Sequence, residues 1–409
     1  RMMENMETVE IVDDFNVRTV FRTRQVSNLS CFLVGILPEH VFRGKAWNNE
    51  SANAHPIGTG PFRFKSRIVK EEIVLEAFPG YFGGRPFIDK YVVKIIPDSS
   101  VAFNELKSGL VDMMDLNPDQ FSKQGSTEAF MDRFNIYTYP RIGDYSFISF
   151  NMKKELFQDR NIRIAMNMAI DRQKIIDDIM NGYAQLITGP FPPTFWGYDG
   201  SVEPVPFSPE GARKALEQSG WIDSDSDGIL DRDGKRLAVT ISAPHGSKVR
   251  ELLVAFLKRS WETAGIAVST EVLEWHSLIP KINEMTYDVL LLGFIHGFDH
   301  DPFGMWHSSM IPDPANNKYG FNHMGFVDEE VDRILEAARQ TLSFEQRREY
   351  YHRFHRIVHD NPPQIYLYSE ERIVAVHKRV RGIMPSAAGL DYNITNWYVP
   401  ENDQKYPRQ

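Results

Sequence analysis

Residues 237–273 restrict the fold most. A strand-like run at 237–243 leads into a helical stretch over 247–264, which Gly265 stops, and a second strand-like run covers 266–273. Two strands joined by a helix form a β-α-β crossover, because parallel neighbours need a connection long enough to return to the same end of the sheet. A further strand is expected at 286–293. The chain is therefore α/β rather than all-helical or all-β.

The flanking sequence repeats this grammar less completely. Val9, Ile11, Val17, Thr19 and Phe21 alternate around Asp13-Asp14, which predicts a hairpin within residues 7–25. Two glycines and two prolines in 56–61 fix a turn ahead of strands at 61–66 and 72–78. A strand at 90–96, a short helix capped by Ser99 or Ser100 and ended by Gly109, and a strand at 111–116 form another α/β unit. Residues 145–151 read as extended. Ile162, Ala165, Met166, Ala169 and Ile170 share one face of a helix expected over 161–180. Ser208-Pro209 starts a helix that Gly220 ends. Two amphipathic helices follow at 328–340 and 344–359, then strand-like runs at 365–368 and 373–376. The result is two α/β segments, roughly 1–140 and 150–360, and a tail that resumes strand patterning. A tail returning to the first segment gives two lobes joined by two crossovers, an arrangement that places ligand clefts at a domain interface.

Composition narrows the function classes. At 409 residues the chain has room for two or three domains. Its 42% hydrophobic and 25% charged content excludes a disordered or fibrous chain. The net charge of −9 speaks against a nucleic-acid-binding body. The single cysteine, Cys31, permits no intrachain disulfide. No uncharged apolar run reaches the roughly 18 residues of a membrane span. The chain opens on Arg1 with no leader pattern and moves at once into strand-like sequence, so it is expected either to be cytosolic or to lack its natural N-terminus.

Few motifs carry chemistry. Asp223, Asp225, Asp227 and Asp231 occupy positions 1, 3, 5 and 9 of a calcium-loop pattern with Gly228 at 6, but Gly234 replaces the bidentate Glu at 12. An Asx-rich turn is the preferred reading, with calcium as the alternative. His296, His300 and His307 lie close to Asp299 and Asp301 without a metal-ligand spacing, so a ligand-contacting loop at a strand end is expected there. His352, His355 and His359 share one helix face, and Arg347, Arg353 and Arg356 crowd the same helix, which reads as solvated. No nucleophile elbow, phosphate loop or dinucleotide fingerprint occurs, so no cofactor is expected. Aromatics at strand ends (Trp275, Phe294, Phe298, Trp306, Tyr145, Phe147, Tyr366 and Tyr368) are candidates for flat contact surfaces in a cleft.

The order of these stretches resembles extracellular solute-binding protein family 5, the peptide- and nickel-type receptors of ABC importers. The matching segments include ILPEHVF, HPIGTGPFRF, LEAFPGYFGGRPFIDKYVVKIIPD, ELKSGLVDMM, YSFISFNM, DRNIRIAMNMAIDRQKII, SPEGARKALEQSGW, YDVLLLGFIHGFDHDPFGMWHSS and NPPQIYLYSEERIVAV. They run from about residue 7 to residue 399. The resemblance implies an α/β, two-lobed periplasmic-binding-protein fold of type II (cluster C-like) with its first lobe incomplete. It assigns residues 1–45 to the remnant of an extra subdomain, 46–142 to lobe 1, 143–368 to lobe 2 and 369–409 to a return to lobe 1. An incomplete lobe is expected to leave an apolar patch near residues 7–25.

The implied role is non-enzymatic: a monomer, periplasmic or extracellular and with a lipid anchor as an option, captures a peptide and delivers it to an ABC permease in the membrane. By resemblance, Asp299 pairs with the peptide's α-amino group, with Asp301 next to it. Gly293-Phe294 is the pair preceding the acid, Trp275 lines side-chain pockets, and Asn104 faces the cleft. The main chain of 145–151, around Tyr145 and Phe147, accepts the peptide as an added strand; Tyr366 and His296 complete the expected set. Two alternatives stay open: the same scaffold binding a nickel chelate or other small solute, motivated by His296, His300 and His307, and a metal-dependent hydrolase.

Overall fold

A computed structural model describes residues 5–33, 35–44, 53–297, 299–316 and 318–406. Phe298 and most of the polar stretch 48–55 lie outside them. In chain order the main elements are strands β1 (Met6–Ile11), β2 (Val17–Phe21), β3 (Phe62–Ile68), β4 (Glu72–Ala77) and β5 (Lys90–Lys94), helix α1 (Ser99–Ser108), and strands β6 (Met113–Leu116), β7 (Phe134–Pro140) and β8 (Asp144–Phe150). Helix α2 (Arg160–Met168), β9 (Ala184–Leu186), α3 (Pro209–Gln218), and the short strands β10 (Asp231–Arg232) and β11 (Lys235–Arg236) follow. Then come β12 (Ala238–Pro244), α4 (Lys248–Thr263), β13 (Ala267–Leu273), α5 (Trp275–Glu284), β14 (Val289–Ile295), α6 (Glu329–Gln340), α7 (Phe344–Asp360) and β15 (Gln364–His377).

Packing divides the chain into two units, Arg1–Cys31 with Ile142–Glu370, and Phe32–Arg141 with Glu371–Gln409. The chain passes between them after Cys31, near Arg141 and again inside β15. The first unit is built on a sheet ordered β13-β12-β14-β8-β15-β9, to which β15 contributes residues 364–370. The β12-β13 and β12-β14 pairs are parallel and the rest antiparallel. The expected β12-α4-β13 crossover is present: Ser247 caps α4 by accepting from the Arg250 N–H, and Gly265 follows it with φ of 92°. Leu253, Val254, Leu257 and Trp261 of α4 are buried with Ile241, Val268 and Val289 in one core. A second core joins Phe147, Trp306, Val331, Leu335 and Phe354 beneath α6 and α7.

In the second unit, residues 371–377 of β15 lie between β6 and β7, and β3-β4-β5 form a separate antiparallel sheet. Asp98, rather than Ser99 or Ser100, caps α1, accepting from the N–H groups of Ser100 and Val101. The hairpin β1-β2 groups with the first unit. Its apolar side chains are exposed, with Ile11 at 80% and Val17 at 62%.

Three elements differ from the sequence expectation. The helix expected over 161–180 ends at Met168, because Asp171 caps a new turn by accepting from the Lys174 N–H. The strand-like runs 365–368 and 373–376 are one strand, β15. The strand expected at 286–293 sits two to three residues later.

Candidate functional site

The elements that position the expected ligand residues are β14 and the loop that follows it. β8 pairs with all seven residues of β14, Val289 through Ile295. β12 pairs with β14 only at Val289 and Leu290. Among the described residues no strand pairs with the other edge of β14 from Leu291 to Ile295, so main-chain N–H and C=O groups there are open to an added strand. β8, by contrast, has β14 on one side and β15 on the other. The expected peptide-accepting edge at 145–151 is thus an interior strand, and the open edge belongs to β14. Helix α5 packs below, its buried Leu278 clustering with Leu290 and Leu292.

Gly293 lies in this open stretch. A Cβ built there meets nothing nearer than the Tyr145 carbonyl oxygen at 3.6 Å, and its φ is not positive. Packing within the chain therefore does not demand glycine, whereas close approach by another main chain would. Phe294 is half-buried, and Trp275, first residue of α5, is 52% exposed. Tyr145, Phe147 and Tyr366, expected as ligand contacts, are core side chains at 1%, 4% and 4% exposure. They support the site from beneath because their strands are central. Asn104 is exposed on α1 in the other unit.

The loop after β14 is fixed from two sides. The His296 N–H donates to the Gly143 carbonyl at 3.0 Å. His296 is buried and stacks on His300 with ring centroids 4.4 Å apart and planes 17° apart. Burial lowers both imidazoles, His300 to about 3, so both are neutral at pH 7. The Asp299 carboxylate accepts from Arg347 Nη1 at 3.1 Å and Asp301 from Arg339 Nε at 2.8 Å. His307 stands apart, stacked on Phe303 and bonded to Glu336 at 3.3 Å. The three histidines therefore do not converge as a metal set. The two arginines were beyond sequence reading, since they lie 38 and 48 residues from their acids and only the packing of α6 and α7 against the loop brings them in.

Two other constellations are structural in geometry. Asp223, Asp225 and Asp227 bring ligand atoms within 4.8 Å of one another, but Asp231 instead accepts from Ser224. Arg213 and Arg236 pair with Asp223 and Asp227, and the carboxylates accept local N–H groups as in an Asx-turn. Thr188, His355 and Asp199 resemble a nucleophile-base-acid set. However, His355 Nδ1 accepts from the Asp199 main-chain N–H, so Nε2 carries the proton toward Thr188 and cannot act as its base. The side chain expected on a solvated helix face is in fact fully buried, because residues 188–199 pack over it.

Residues 2–310 match the bacterial extracellular solute-binding proteins, family 5 Middle. The oligopeptide-binding protein AppA of Bacillus subtilis (strain 168) is 28% identical over 406 residues, covering 97% of this chain and 73% of AppA. The structure of AppA from Bacillus subtilis in complex with a nonapeptide superposes with a TM-score of 0.82 at 26% identity, over 98% of this chain and 79% of that one. NikZ from Campylobacter jejuni, crystallised with Ni(L-His), gives a TM-score of 0.82 at 25% identity, over 97% of this chain and 79% of that one. The fold is that of the two-lobed periplasmic binding proteins. With that fold and the match over residues 2–310, the chain belongs to bacterial extracellular solute-binding protein family 5.

Proposed function

We propose that this protein is the peptide receptor of an ABC importer, a non-enzymatic monomer outside the cytoplasm that binds a peptide as an added strand on β14 and hands it to a membrane permease. The open edge of Leu291–Ile295 carries the reading, supported by the room above Gly293 and by the nonapeptide bound to AppA. Gly293, Phe294 and Trp275 are the proposed contacts, with Tyr145, Phe147 and Tyr366 holding the strand beneath them. His296, Asp299 and Asp301 sit in the loop beyond. Residues 46–142 with 369–409, and 143–368, are read as the two lobes. Among the described residues no helix is long and apolar enough to cross a membrane.

The test is isothermal titration with a pool of random nonapeptides, comparing the native chain with Gly293→Val. The bulkier residue should weaken binding by about tenfold or more with little change in Tm, because it fills space only a ligand main chain uses. Equal affinity in both proteins would remove β14 from the site. A nickel chelate is the second reading, favoured by the unpartnered Nε2 of buried His296 and by NikZ; nickel–histidine uptake in the absence of peptide binding would replace the first reading with it.

A further inference from the structure

We propose that Tyr145, Tyr366 and His296 form an internal site beneath β14 for a small neutral hydrogen-bonding molecule, an ordered water, which pins the loop after β14 to the sheet. The inference stands apart from the choice between peptide and chelate. Each of the three side chains is more than nine-tenths buried, at 1%, 4% and 6% exposure. Among the described residues the Tyr145 hydroxyl, the Tyr366 hydroxyl and His296 Nε2 each find no hydrogen-bond partner. A buried polar group without a partner forfeits its hydration, and native proteins leave few of them. These three gather in one place. Phe147, which pairs with Tyr366 across β8 and β15, is two residues from Tyr145, so the tyrosines share a face of the sheet. Their ring centroids are 6.3 Å apart, and the His296 ring lies 6.5 Å from that of Tyr145.

The donors and acceptors define the occupant. His296 Nδ1 lies 2.9 Å from the Gly297 carbonyl oxygen, so it carries the ring proton and Nε2 is a bare lone pair. Burial lowers that imidazole and raises both phenols, Tyr366 further through its neighbour Tyr145, so all three groups are uncharged at pH 7. A metal ion would call for a deprotonated phenol and an anion for a protonated imidazole, and burial opposes both. A molecule that donates to Nε2 and accepts from two hydroxyls is satisfied here, and water does so. Phe195, with its ring 5.1 Å from that of His296, and Phe294, 6.0 Å from Tyr145, make the surrounding wall apolar. Hydrogen bonds gain strength in such a setting. The bridge joins β8, β15 and the loop, and adds to the one main-chain bond from the His296 N–H to the Gly143 carbonyl.

A high-resolution crystal structure of the native chain decides this. A density peak is expected at about 2.7–3.2 Å from His296 Nε2 and from both hydroxyls. No peak there, or hydroxyls bonded directly to each other or to Nε2, overturns the proposal. Crystals soaked in nickel chloride should show no anomalous peak at Nε2; a peak would make this a metal site and overturn it too. Stability supplies a readout of opposite sign for the two cases. Removing a hydroxyl that has no partner raises Tm, whereas removing one that holds the bridge lowers it. Tyr145→Phe and Tyr366→Phe are each expected to lower Tm by about 1–3 °C, and a rise in either overturns the site. In the double variant, amides at 296–302 should exchange faster than in the native chain while those of α4 are unchanged. Unaltered exchange at 296–302 would overturn the pinning of the loop.

Discussion

At the scale of single residues, burial decides what the polar side chains do. His355 is fully buried, accepts the Asp199 N–H on Nδ1 and contacts Thr188 through Nε2. Burial, opposed by the Asp199 carboxylate and assisted by His359 and His352, lowers its pKa to about 4. The ordinary value of 6.5 applies when the chain unfolds, so the unfolded state takes up the proton first. Stability from this residue is complete above about pH 6.5 and is lost as pH falls through about 4, on the order of 3 kcal/mol in all. Thermal melts from pH 7 to 4 should show a steep fall in Tm, and His355→Gln, whose amide can keep an acceptor and a donor, should flatten part of it. His300 contributes in the same direction and remains in both proteins. Arg163 makes a different case. It is 2% exposed, and its three partners are the main-chain carbonyl oxygens of Phe157 and Pro362 and the side-chain amide oxygen of Asn361. Arg163→Met strands those oxygens and should cost about 3 kcal/mol in urea unfolding; a loss below about 1 kcal/mol would mean they find other donors.

At the scale of elements, periodicity located helices and strands well and their neighbours poorly. The β12-α4-β13 crossover was legible because its cap, apolar spacing and stop lie within one stretch of chain. Which strand keeps an open edge was not, because that depends on where β12 ends relative to β14 across the sheet. The break after Met168 was hidden by an apolar pattern that runs on through Ala169 and Ile170, both buried although the helix has ended. Gly265 shows how tightly the crossover is closed. Its φ is 92°, and a Cβ would sit 2.8 Å from Leu230 Cγ. Gly265→Ala should lower stability by about 1–3 kcal/mol without altering ligand affinity. Gly143, at φ of 70°, differs because a Cβ there would collide with the His296 carbonyl. Gly143→Ala should therefore disturb the loop after β14, read as faster amide exchange at 296–302 along with weaker peptide binding; unchanged exchange would show that the loop is held by its own packing.

At the scale of the whole molecule, neither unit is a continuous stretch of chain: residues 32–141 interrupt the first, residues 142–370 interrupt the second, and β15 is shared between them at 370–371. The hairpin β1-β2 is the least supported part. Among the described residues its strands pair only with each other, and its apolar residues, including Phe15 at 94%, are exposed. Two-stranded sheets are marginal alone, and Arg18, Arg22 and Arg24 are exposed on or beside it. Brief trypsin treatment should cut there first and leave the 142–370 region intact; first cuts within α4 or α7 would contradict this ranking.

The sequence by itself determined the α/β class, the crossover, the return of the tail and the order of segments that marks the family, because those are carried by local periodicity and by capping, turn and stop residues close in the chain. Tertiary structure alone decided that β14 offers the open edge, that His355 is buried, and that Asp299 and Asp301 face Arg347 and Arg339. Edges, burial and ion pairs depend on what arrives from distant parts of the chain, and the interaction of two charges is set by their separation in space rather than in sequence.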